Sequence, residues 1–158
     1  MAHNQPMIER KIEIYMETSV PNAYLDATKP ERQQETQAFW RRLEQYRIYI
    51  SDFVIKEIQQ TPQAQRRRDL LDLIAPFEVL NSQQHDDIRK LTQYYVQHGA
   101  IAIPEDALHV AIAVYDKIGI LTSWNYRHLV KLKTIHAVNA MNLLHGYNAI
   151  EIVAPSML

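Results

Sequence analysis

Residues 12 to 16 alternate. Ile12, Ile14 and Met16 stand apart from Glu13 and Tyr15, and a period of two predicts a strand. That strand is expected to run to about Thr18, with Glu17, Thr18 and Ser19 at its end. Pro21 suits the start of a helical turn, and Thr28-Lys-Pro30 breaks the pattern. From Glu31 a long polar segment carries Phe39, Trp40, Leu43 and Tyr46, a helical stripe read as core packing. Ile48-Tyr-Ile50 predicts a second strand, and Ser51 is a suitable N-cap for a helix through Phe53, Val54, Ile55 and Ile58. A helix over 63–75 turns Leu70, Leu71 and Ile74 inward.

Phe77 to Leu80 predicts a third strand. Ser82 is expected to cap a helix that carries Ile88, Leu91, Tyr94 and Tyr95 and stops at Gly99. Pro104 suits the first position of the next helix, with Leu108, Ala111, Ile112, Tyr115 and Ile118 on one apolar face. Ile120 to Ser123 predicts a fourth strand. A helix through Ile135, Val138, Met141 and Leu144 stops near Gly146, and Ile150 to Val153 predicts the last strand. Strands alternating with helices imply an α/β fold: a three-layer sandwich with a mostly parallel sheet and helices on both faces.

The remaining facts narrow the chemistry. A chain of 158 residues fits a single domain spanning 1–158, with 1–10 a loose arm. It has no cysteine, which excludes disulfides and thiolate metal sites and fits a cytoplasmic protein. Three glycines leave no glycine-rich phosphate loop. No apolar run approaches the ~18 residues of a membrane span, so no membrane partner is expected. The net charge of −1 means that any nucleic-acid contact must come from a local patch.

Four polar residues fall where ligands gather in such folds, near the carboxyl ends of strands. Glu17 follows the first strand, Glu57 lies on the helix after the second, Asp106 opens a later helix, and Asn125 follows the fourth strand. Each has an ordinary alternative. Glu17 and Glu57 can be solvated surface, and Glu105 and Asp106 can decorate a helix dipole. His109 shares a face with Asp106 and can equally be a satisfied histidine between helix and sheet. Three carboxylates meeting at strand ends form a hard oxygen site suited to Mg²⁺ or Mn²⁺ rather than zinc. The chemistry is then metal-activated water attacking a phosphodiester.

The segments Tyr15-Met-Glu-Thr-Ser-Val20, Ser51 to Glu57, Asp106-Ala-Leu-His109 and Leu121-Thr-Ser-Trp-Asn125 together resemble the PIN-domain proteins. They are similar to the VapC-type ribonuclease toxins of type II toxin–antitoxin pairs, over about residues 11 to 154. The resemblance implies a carboxylate cluster that binds Mg²⁺ or Mn²⁺ and cleaves single-stranded RNA, an antitoxin partner and a homodimer. By position it makes Glu17, Glu57 and Asp106 the catalytic metal ligands, Asn125 the fourth site residue, and Ser19 and His109 supporting groups. Glu17 is one methylene longer than the usual aspartate, and Asn125 brings no charge, so one ion is expected. Arg66, Arg67, Arg68, Arg127, Lys131 and Lys133 are the candidates for RNA-backbone contacts. Two other readings stay open: a catalytically degenerate PIN-fold module that only pairs with an antitoxin-like protein, and a small-molecule phosphatase. The latter lacks an Asp-x-Asp nucleophile pair.

Overall fold

The computed structural model describes residues 10–83 and 85–158, so the expected loose arm at 1–10 lies almost wholly outside the described residues. Five strands, β1 (Ile12–Met16), β2 (Tyr46–Ser51), β3 (Glu78–Leu80), β4 (Ile120–Thr122) and β5 (Glu151–Val153), form one sheet. Every pairing is parallel, in the order β3-β2-β1-β4-β5. The chain moves outward from β1 through β2 to β3, then returns to the other side of β1 and adds β4 and β5. The direction of winding reverses between β1 and β4, where open parallel sheets leave a crevice at their carboxyl ends.

Helices α1 (Ser19–Tyr24), α2 (Pro30–Trp40), α3 (Asp52–Gln59), α4 (Ala64–Ile74), α5 (Asp86–Gln97), α6 (Pro104–Tyr115) and α7 (Leu132–Leu144) supply the crossovers. Several start and stop signals act as expected. The Ser51 hydroxyl accepts from the Val54 N–H and caps α3, Pro104 is the first residue of α6, and Gly99 takes the positive φ that ends α5. Among the described residues no helix is long and apolar enough to cross a membrane.

Several expectations need correction. β1 ends at Met16, and Ile14, Tyr15 and Met16 are all fully buried. Alternation sets Tyr15 on the face opposite Ile14 and Met16, and a central parallel strand is covered on both faces by helices, so both are buried. The stripe ending in Tyr46 is not one helix: α2 stops at Trp40, a short 3-10 turn covers Leu43–Gln45, and Tyr46 pairs with Ile12 in the sheet. Strand pairing overrides the helical spacing there.

Ser82 does not cap α5. His85 holds that position, Asp86 and Asp87 fill the first turn, and the Ser82 N–H is bound by Asp52. Leu144 is 80% exposed although Val138 and Met141 are buried. Steps of three residues drift by about 60° each, so Leu144 lies roughly half a turn from Ile135.

Candidate active site at the sheet switch point

β1 delivers Glu17 to the crevice. Its N–H bonds the Thr122 carbonyl at the end of β4, which fixes the backbone just as the strand finishes. The side chain is 7% exposed. One carboxylate oxygen, Oε2, accepts from the hydroxyls of Ser19 at 2.5 Å and Ser123 at 2.8 Å; Oε1 takes neither bond. Ser19 also accepts from the Trp124 N–H, so it ties α1 to the loop after β4.

That loop carries Asn125. Its N–H donates to Ser123 Oγ, its side-chain oxygen accepts from the His128 N–H, and its carbonyl accepts from Leu129 and Val130. These bonds leave the amide nitrogen free to donate to Asp106 Oδ2 at 3.2 Å. Glu17, Ser123, Asn125 and Asp106 therefore form one continuous polar chain. Burial is the main cause that raises the Asp106 carboxyl above its ordinary value, and the negative charge of Glu17 adds to it. The Glu17 carboxylate is thus near enough to oppose ionisation of Asp106.

Glu57 is brought to the same end of the sheet but is differently engaged. Its Oε1 accepts from the Thr18 hydroxyl and from His109 Nε2, both at 2.6 Å. His109 is 1% exposed, and its other nitrogen meets the Tyr15 hydroxyl at 2.7 Å. The Tyr15 hydroxyl lies 2.9 Å from Ser51 Oγ. A carboxylate only accepts, so Nε2 carries hydrogen toward Glu57. Nδ1 then accepts from Tyr15, and Tyr15 accepts from Ser51. Burial pushes the Glu57 carboxyl up, but the hydrogen bonds from His109 and the Thr18 hydroxyl hold it below the ordinary value. Burial, with the negative charges of Glu17, Glu57 and Asp52 adding to it, pushes the Tyr15 hydroxyl well above the usual tyrosine range.

His109 is therefore the satisfied histidine between helix and sheet. It orients Glu57 rather than Asp106, its neighbour on α6. Among the described residues no set of three or more His, Asp or Glu side chains is arranged to hold a metal ion. Glu17 and Asp106 make a pair, while Glu57 is taken up by His109 and Thr18.

The expected cations are scattered. Arg66 donates to the carbonyls of Asn22 and Leu25 and so closes the carboxyl end of α1. Arg67 donates to Thr61, and Arg68 to Gln65. Lys131 and Lys133 are exposed at the start of α7. Of these six, only Arg127 lines the cleft of about 560 Å³ that opens beside Glu17. Lys29, Arg32, Trp124 and Tyr126 line it too, and sequence reasoning did not single them out. The aromatic pair in Trp124-Asn-Tyr126, at a strand end, was the available signal. A larger cavity of about 840 Å³ between α3, α5 and α6 contains none of the four site residues.

The sequence matches no family model, and no curated protein matches it. Solved structures do resemble it. A chain of VapBC2 from Rickettsia felis, solved with a DNA fragment from its promoter, superposes with a TM-score of 0.57 at 12% identity, covering 90% of this chain and 98% of that one. The chain shares the PIN fold. VapC20 of Mycobacterium tuberculosis, a toxin that cleaves the sarcin–ricin loop, superposes with a TM-score of 0.52 at 18% identity, covering 68% of this chain and 86% of that one.

Proposed function

We propose that this chain is a metal-dependent endoribonuclease that cleaves single-stranded RNA, the toxin of a toxin–antitoxin pair. The observation that carries the reading is the Glu17–Ser123–Asn125–Asp106 chain at the sheet switch point. Two neighbouring carboxylates suit a hard divalent cation. Mg²⁺ is commonly held by one or two carboxylates and substrate phosphate while keeping several waters. Glu17 and Asp106 would hold Mg²⁺ or Mn²⁺, which when bound supplies an activated water and charge neutralisation at phosphate.

The chain's own residues do the rest. Ser19 and Ser123 hold Glu17 Oε2, leaving Oε1 outside both bonds and open to an ion. Asn125 orients Asp106. Glu57, fixed by His109 and Thr18, orients the attacking water, whose oxygen bonds phosphorus as an ester P–O bond breaks. Calorimetric titration with Mn²⁺ tests the site. Binding to the parent that is lost in Asp106→Asn is expected, and unchanged binding in that variant would remove Asp106 from the site.

The reading as a partner-binding module has one observation in its favour. Leu132, Leu143 and Leu144 on α7 are 72–80% exposed, a surface suited to an antitoxin-like protein or a second copy of the chain. Sedimentation alone and with the product of a neighbouring reading frame tests both assemblies.

A further inference from the structure

The cleft beside Glu17 has a composition that the carboxylate chemistry does not require. Trp124 forms its floor. It is 5% exposed, and its indole N–H donates to Thr36 Oγ1 at 2.9 Å, so the ring cannot turn. The Arg32 guanidinium lies 5.2 Å from the centre of that ring, a cation–π arrangement that sets its position. Tyr126 sits 6.2 Å from Trp124 and is 49% exposed.

Lys29 and Arg127 stand on the same cleft, so three cations face two carboxylates, Glu17 and Asp26. Asp26 is already bound by the N–H and hydroxyl of Thr28. In a chain of net charge −1 this is a local concentration of positive charge. Flat aromatic surface beside cations is the pairing that binds single-stranded nucleic acid. Bases stack without regard to sequence, and the cations follow the phosphates.

We infer that this cleft is a nucleotide subsite: Tyr126 stacks the base of a nucleotide next to the scissile phosphate, and Arg32 binds that nucleotide's phosphate. This rests on the ribonuclease reading and deepens it. The subsite selects unpaired RNA, because a base held in a duplex has no free face for Tyr126. Sequence preference at this position is weak, since stacking and a phosphate contact read no base edges.

The test is fluorescence anisotropy of a 5′-labelled oligouridylate with the full chain, in EDTA to prevent cleavage and with Ca²⁺ as a second condition. Tyr126→Leu is expected to weaken binding about tenfold, and Tyr126→Phe, which keeps the ring, to bind as the parent does. Arg32→Gln is expected to weaken binding and to lower the salt slope by about 0.7, the value of one single-strand phosphate contact. Arg41→Gln, at the far end of α2, is the control and leaves binding unchanged. Both Tyr126 variants alter a half-exposed ring, and thermal melts verify their folding.

RNA bound and cut equally by the parent, Tyr126→Leu and Arg32→Gln would overturn the subsite and leave the ribonuclease reading intact. Equal affinity for duplex RNA would also overturn it. Preference for an acidic peptide over the oligouridylate would replace the nucleotide with a protein ligand.

Discussion

Tyr15→Phe removes one oxygen from the centre of the molecule and nothing else. The hydroxyl sits in a fully buried ring and joins Ser51 at 2.9 Å to His109 at 2.7 Å. Ser51 keeps the Val54 N–H, 3.2 Å away, when Tyr15 loses its hydroxyl. His109 Nδ1 keeps nothing in its place and is 1% exposed with the rest of the residue. A buried acceptor left without a donor costs about 1–3 kcal/mol, so a loss of about 2 kcal/mol is expected. In a domain of this size each kcal/mol moves Tm by roughly 2–4 °C, which gives a fall of about 4–8 °C.

Circular-dichroism melts and urea titration measure this directly, with the m-value unchanged if the native state stays compact. Glu57→Gln completes a double-mutant cycle. Both positions act on one imidazole, so a coupling of at least about 0.5 kcal/mol is expected between them. A Tyr15→Phe melt within about 1 °C of the parent would refute the network. Strict additivity with Glu57→Gln would show that His109 does not transmit between them.

Asp106→Asn should melt higher than the parent at neutral pH without metal. The folded Asp106 carboxyl binds its proton more tightly than the unfolded one, so ionising it costs folding stability at every pH above the ordinary value. A lower melt would make Asp106 a structural residue. The same variant should lose cleavage by about 100-fold or more, because charge stabilisation by a metal is worth several kcal/mol. Glu57 has the opposite sign: its lowered carboxyl contributes stability that is complete above pH 4.5 and lost as pH falls through its own lower value. Acid melts of Glu57→Gln should therefore show a weaker loss below that pH than the parent, and parallel curves would contradict the assignment. Arg66→Ala should cost about 1.5–3 kcal/mol in urea titration, because a charged donor closes two carbonyls at the end of α1; a neutral effect would return Arg66 to the free surface.

Much of the fold was legible because its signals are local. Alternation marked β1 and short apolar segments marked the other strands, and Ser51, Gly99 and Pro104 marked helix ends by backbone chemistry that needs no distant partner. Glu17 and Asn125 were legible for the same reason, as polar residues where strands finish. The errors lie where distant contacts decide. Alternation within β1 could not show that helices cover both of its faces and bury Tyr15, whose partner His109 is 94 residues away in sequence. The roles of Arg66 and of Arg32 depend on which carbonyl or ring lies opposite, and no spacing within the chain encodes that. Leu144 shows a different limit, since a three-residue repeat leaves the buried face of a helix after about two turns.

As proposed, hydrolysis of RNA by the Glu17–Asp106 pair at the switch point requires a divalent metal. The most direct measurement is cleavage of single-stranded RNA by the purified chain with Mn²⁺, repeated with EDTA and with Asp106→Asn. Cleavage that ends with EDTA and is absent in the variant, while its fold persists, is expected. Cleavage undiminished in Asp106→Asn, or no cleavage of any RNA by folded, metal-loaded protein, would contradict the proposal.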